Sequence, residues 1–228
     1  MPFPPLIESF FALILLACFL LFALVFRHES MGLIVGLKNT VLFRNHKTAV
    51  FSEQVSPFKV RGNFYLILQT ALIISVFTSF FFLKDNWQML ALGENFLLFF
   101  GILLTLLLLL GLKYLLYKAI GTFFLRDEIG GWIARYFWII KALGFLLFIP
   151  TVVYIYIGEL RNFVLVAVVL IFFVSRILIF AELLNIFVKN KIGLLYFFVY
   201  FCGTEIAPYI VYFKGVLLLT KTVGNINI

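Results

Sequence analysis

Long apolar runs, separated by most of the chain's charges, constrain this sequence more than any other feature. A helix needs about 20 apolar residues to cross the hydrocarbon core of a bilayer. Six windows meet that need: 6–26, 64–83, 96–116, 132–157, 163–184 and 193–219. Charged residues make up only 12% of the chain, against 64% hydrophobic. A soluble domain carries about 25% charged residues and cannot bury such an apolar surplus, because burial is limited by surface-to-volume geometry. The expected fold is an all-α polytopic membrane bundle of about six transmembrane helices, one domain over residues 1–228. Met1–Pro5 hold no Lys or Arg and no small-x-small site follows the first run. It therefore reads as a retained helix rather than a secretory signal.

Basic residues orient the bundle. Arg27, Lys38, Arg44, Lys47, Lys59 and Arg61 flank or occupy the first connection. Lys113, Lys118, Arg126 and Arg135 surround the third, and Lys189 and Lys191 the fifth. The opposite side has Lys84, Arg161 and Lys221. This twelve-to-three split predicts a cytoplasmic connection over 27–63 and both termini on the periplasmic side, by the positive-inside rule. Within 27–63, Met31–Phe43 is too short to span and reads either as an interfacial helix or as a plain loop. Pro57 argues against a regular element over 50–60. The formal charge of +8 then marks a surface for anionic headgroups at the cytoplasmic face, not a nucleic-acid site, since there is no basic domain to hold a duplex.

Other chemistries lack their residues. Cys18 and Cys202 lie in separate apolar runs and read as packing residues. His28 and His46 share a loop without metal-ligand spacing, so neither a metal nor another cofactor is expected. Nucleophile-elbow, zincin, Walker and Rossmann signatures are all missing. Asp127-Glu128 is the only adjacent pair of acids, in a stretch that reads as a solvated loop. An enzyme is not expected.

The chemistry-bearing residues are the charges inside the spans, which cost about 2.5–3.5 kcal/mol each on insertion scales. At 1.5 Å per residue, Lys141, Arg176 and Glu205 fall roughly 13, 12 and 18 Å from the cytoplasmic ends of three successive helices, and so share a layer. Arg cannot shed its proton and needs an acceptor, which Glu205 supplies. With Lys141 alongside, the cluster carries a net charge of +1 and suits an anionic group. The alternative is a structural ion pair, with Lys141 snorkelling to the interface.

The run Cys202-Gly203-Thr204-Glu205-Ile206-Ala207-Pro208 adds a second irregularity. Pro208 donates no amide and frees a carbonyl near Thr204, so a kink beside Glu205 is expected, with Gly203 easing the break. Such a break can form a site or merely pack. Pro150 in the fourth run has the same two readings. Glu8 and Lys214, near the outer interface, either link the first and last helices or snorkel separately. Gln69 and Thr70 can reach the charged layer, while Ser75, Thr78 and Ser79 read as glue between helices.

The C-terminal part resembles the DUF4271 family of Bacteroidota integral membrane proteins. The resemblance rests on Leu184-Asn185-Ile186-Phe187, on Glu205-Ile206-Ala207-Pro208 with its preceding Cys202-Gly203-Thr204, and on Tyr212-Phe213-Lys214. It covers about forty residues and departs at Gly203, where the family has a bulkier apolar residue. It implies a multi-pass protein of the inner (cytoplasmic) membrane of a didermal bacterium, with Glu205, Pro208 and Lys214 on the motif. It implies no mechanism, since the family's function is unknown.

Two readings follow. In the first, Glu205, Arg176 and Lys141 bind or transport a small anion, a proton or a lipid headgroup. In the second, the protein is a non-transporting scaffold or partner subunit of an envelope assembly or secretion complex, and the charges hold helices together. Membrane-protein partners belong chiefly to the second.

Overall fold

The computed structural model describes residues 10–23, 57–83, 92–124, 129–189 and 194–224, all of them helical except Ile157. The helices are α1 (Phe10–Ala23), α2 (Pro57–Leu83), α3 (Leu92–Phe124), α4 (Ile129–Tyr156), α5 (Arg161–Lys189), α6 (Leu194–Phe201) and α7 (Ala207–Gly224). A 3-10 turn at Gly158–Leu160 joins α4 to α5, and a π-helical segment at Cys202–Ile206 joins α6 to α7. Glu8, His28, His46, the stretch Met31–Phe43 and Asp127-Glu128 lie outside the described residues.

Five stretches are long and apolar enough to cross a membrane: Tyr65–Phe82, Gly93–Ala119, Arg135–Tyr156, Gly158–Asn185 and Phe197–Thr222. Their mean hydropathies run from 1.3 to 3.0. The fold is therefore that of a multi-pass helical membrane protein. The described part of α1, Phe10–Ala23, is apolar but shorter than a span.

Two helices start or run further than their apolar windows. α2 begins at Pro57, against the expectation of an irregular segment there. Proline suits the first turn of a helix, where its missing N–H would have had no partner. α3 is 33 residues long, about 50 Å at 1.5 Å per residue, and exceeds a hydrocarbon core of about 30 Å. It continues past 116 through Lys118 to Phe124, so Lys113 lies eleven residues before the helix end rather than beside it. α4 runs unbroken through Pro150.

Contacts between helices close a ring: α2 packs on α4, α4 on α5, α5 on α6, the π segment and α7 on α3, and α3 on α2. The interior is layered. At one end Phe11, Leu15 and Cys18 of α1 pack with Ile73 and Phe80 of α2 and Leu143 of α4. At the other end Tyr117, Trp132, Tyr136, Ile179, Phe197 and Tyr200 form an aromatic core. Between them lies a small cluster of Ala71, Leu106 and Leu109, with Tyr209 and Tyr212 against it. The lipid-facing sides of α3 and α5 are apolar and exposed, as at Leu104, Leu108, Phe163 and Phe173.

Among the described glycines, Gly144 marks the tightest contact, where α4 crosses α2. A Cβ on Gly144 would stand 2.1 Å from the Thr70 hydroxyl and 2.7 Å from its Cβ. That hydroxyl donates to the Leu66 carbonyl at 2.8 Å and reaches the Ile140 carbonyl on α4 at 3.4 Å. Small residues and cross-helix hydroxyls of this kind drive helix association where no hydrophobic force acts between helices. Gly144→Ala should therefore separate α2 from α4, at a cost of about 1–3 kcal/mol for overpacking, and lower the amount of folded protein in membranes. Gly111→Ala, where an added Cβ meets open space, should leave that amount unchanged.

Candidate functional site

Glu205 is the centre of the interior. Pro208 follows it three residues later and lacks the N–H that a regular helix would use there. The chain answers with the π segment, in which the Ala207 amide donates to the Cys202 carbonyl. The wider turn leaves Thr204 and Glu205 both buried. The Thr204 hydroxyl returns to the Tyr200 carbonyl at 2.8 Å. The expected break beside Glu205 thus takes the form of a π turn. Gly203 meets no neighbour that a Cβ would touch.

Three side chains from two other helices satisfy the carboxylate. Lys113 Nζ of α3 donates to Oε2 at 2.8 Å, with Lys113 0% and Glu205 3% exposed. Arg176 of α5 donates to the same oxygen at 3.1 Å and is 17% exposed. The Tyr117 hydroxyl, one turn beyond Lys113 on α3, donates to Oε1. Arg176 also donates to the Tyr209 hydroxyl.

Aromatic rings wall the two cations. Lys113 Nζ lies 4.2 Å from the centroid of the Tyr209 ring and 5.6 Å from that of Tyr136. The Arg176 guanidinium sits 4.6 Å from Phe172 and 4.8 Å from Tyr209. Ring faces attract cations most strongly where water is scarce, so they supplement the ion pairs. With one carboxylate and two cations in ionised form, the cluster carries a net charge of +1.

The sequence pairs Glu205 with Arg176, and the structure does the same. The lysine bonded to the carboxylate is Lys113, assigned from sequence to the cytoplasmic flank. Lys141 is half-buried on α4, roughly 140° around that helix from Tyr136 at 100° per residue. A signal for Lys113 was present: Lys113 and Tyr117 stand four residues apart and so share one face of the helix. Lys214 is exposed on α7. Sequence reasoning also missed a second ion pair, Arg135 of α4 to Glu182 of α5 at 2.8 Å, with exposures of 35% and 4%.

The bundle and its centre define a class: a multi-pass helical membrane protein with a buried carboxylate held by two cations and a tyrosine. The family model for a domain of unknown function, DUF4271, matches residues 11–216, and the chain belongs to that family. The match takes in Lys113, Tyr117, Arg176, Glu205 and Tyr209, well beyond the C-terminal residues that carry the resemblance. No curated protein and no solved structure matches the chain.

The charge count ranks substitutions. Removing Lys113 or Arg176 leaves a neutral pair, whereas Glu205→Gln leaves two buried cations without a counter-charge. Breaking a buried pair so that a charge stands alone costs about 3–5 kcal/mol. Glu205→Gln should therefore lower the unfolding temperature of the detergent-solubilised protein well below that of Lys113→Met or Arg176→Gln. Equal losses for all three would contradict the charge argument.

Proposed function

We propose that this protein is a multi-pass protein of the bacterial inner membrane, with both termini outside, and that the Lys113–Glu205–Arg176 triad binds a small anionic group. One observation carries the reading: two cations converge on a single carboxylate oxygen, so the buried cluster holds one positive charge more than it neutralises. A charge in such surroundings is stabilised by a counter-ion. Arg176 is the natural point of entry, being the more exposed cation and having a buried Nε without a hydrogen bond. The group it suits is a phosphate or carboxylate, free or borne by a lipid headgroup, because a guanidinium fork matches their oxygens.

The scaffold reading is favoured by a different observation. Both oxygens of Glu205 are already filled by donors from α3 and α5, as a lock between helices would require. Partners in an envelope assembly would then meet the outer faces of the bundle.

The two readings part on substitutions that keep the protein folded. In a strain depleted of the native protein, Lys113→Met and Arg176→Gln should keep normal membrane abundance and lose rescue. The swap Lys113→Glu/Glu205→Lys keeps the pair and the net charge but relocates the carboxylate, and should also fail to rescue. Rescue by the single variants, or recovery through the swap, would leave only the lock. The orientation has its own measurement. An alkaline phosphatase fused after residue 228 should be active in intact cells, and a green fluorescent protein fused there should stay dark.

A further inference from the structure

The exposed edge of the triad opens on hydrocarbon. Lys113 and Glu205 are sealed, and of the three only Arg176 is partly exposed. On α5, every exposed residue from Phe163 to Leu184 is apolar. From Phe197 to Phe213 the exposed residues are again apolar, Cys202 and Gly203 apart. The next exposed charge on α7 is Lys214, five residues past Tyr209 and so about 140° around the helix from it. Along neither helix does an exposed polar side chain mark an aqueous route to Arg176.

The same region opens sideways. Toward one end, rings join α5 to the last span: Phe180 lies 5.2 Å from Phe197 and 5.0 Å from Phe201, and Phe172 meets Tyr209 at 5.7 Å. Past that pair the partners change. α5 packs along α4, with the Arg161 guanidinium 5.4 Å from the Tyr154 ring. α7 packs along α3, while Tyr212 donates to Thr78 of α2 at 3.5 Å and the Phe213 ring lies 6.1 Å from that of Phe82. No comparable packing joins α5 to α7 among the described residues. The two helices therefore part beyond Phe172 and Tyr209, leaving a lateral cleft with Arg176 at its narrow end. Val169, Phe172 and Phe173 share the Arg176 face of α5, being seven, four and three residues before it. Phe213 follows Tyr209 by four on α7, and all four of these apolar side chains are exposed.

We propose that the anionic group of this site is the carboxylate of a long-chain fatty acid, held by Arg176 with its acyl chain in the cleft between α5 and α7. The inference rests on the reading of the triad as an anion site. Arg176 has the donors. A guanidinium carries five N–H groups. Nη1 bonds both Glu205 and Tyr209, and Tyr136 is a further partner. Two N–H groups remain, as many as a carboxylate has oxygens, and such charge-assisted pairs are short and strong. The acyl chain lets the carboxylate arrive through hydrocarbon, a route closed to acetate or inorganic phosphate. A phospholipid fits less well. Its phosphate, esters and headgroup would bring more polar atoms to a depth of about 12 Å than two N–H groups can satisfy.

The purified full chain, in nanodiscs of a zwitterionic phospholipid, is titrated with radiolabelled palmitate against empty nanodiscs, and separately with radiolabelled inorganic phosphate. Saturable palmitate binding at one site per chain is expected, displaced by unlabelled palmitate but not by acetate or methyl palmitate. Arg176→Gln should weaken it by about tenfold or more, as loss of a charge-assisted pair implies. Lys214→Gln should leave it unchanged. Palmitate carrying a mid-chain diazirine should label peptides of α5 and α7 on irradiation, a mark that does not depend on any variant folding. Phosphate binding without palmitate binding would overturn the fatty acid and keep the anion site. Palmitate binding unaltered in Arg176→Gln, or displaced by methyl palmitate, would overturn the inference. Binding of neither probe would overturn both readings.

Discussion

The interior of this protein is organised by the cost of holding charge away from water. A carboxylate at membrane depth cannot stand alone, and neither can an arginine. Here each satisfies the other, with Lys113 and Tyr117 completing the carboxylate's bonds. These bonds tie the break between α6 and α7 to α3 and α5, which approach it from different sides of the ring. Apolar packing in a bilayer cannot select one arrangement so sharply, since lipid tails are as apolar as leucine. The charged centre and the Thr70–Gly144 crossing supply directional contacts that apolar packing lacks.

The cation excess connects that architecture to chemistry. An exactly neutral pair would serve as a lock and nothing more. A third charge, walled by tyrosines, leaves the centre with one more cation than carboxylates. The second pair, Arg135–Glu182, is balanced and joins only α4 to α5. It shows the same sequence using a salt bridge in the ordinary way, and the difference between the two is what singles out the triad.

Much of the fold was legible because the bilayer fixes span length. The helical runs follow the apolar windows, and the Glu205–Arg176 pairing followed from depth along two helices. The break at Pro208 was also readable, since a missing amide has a local consequence. Other features were not. Lys113 fell near the end of the window 96–116 and was counted with the basic flank, because charge near the end of an apolar run normally marks its boundary; the continuation of α3 to Phe124 puts it eleven residues before the helix end. Lys141 looked equally deep, but depth along a helix says nothing about which neighbour a side chain meets. Tyr117, Tyr136 and Tyr209 were hidden among 41 other Phe, Tyr and Trp residues, where spacing alone gives no ranking.

The π segment has a consequence for mechanics. It contains the equivalent of one surplus residue in an otherwise α-helical span. Were the surplus to move along the span, every residue it passed would turn by about 100° and shift by about 1.5 Å. Glu205 and Tyr209 lie on either side of the α7 start, so such a migration would rotate one against the other without unfolding either helix. Arg176, bonded to both Glu205 and Tyr209, ties the two sides of the π segment to α5, so any such migration would first have to break one of those bonds.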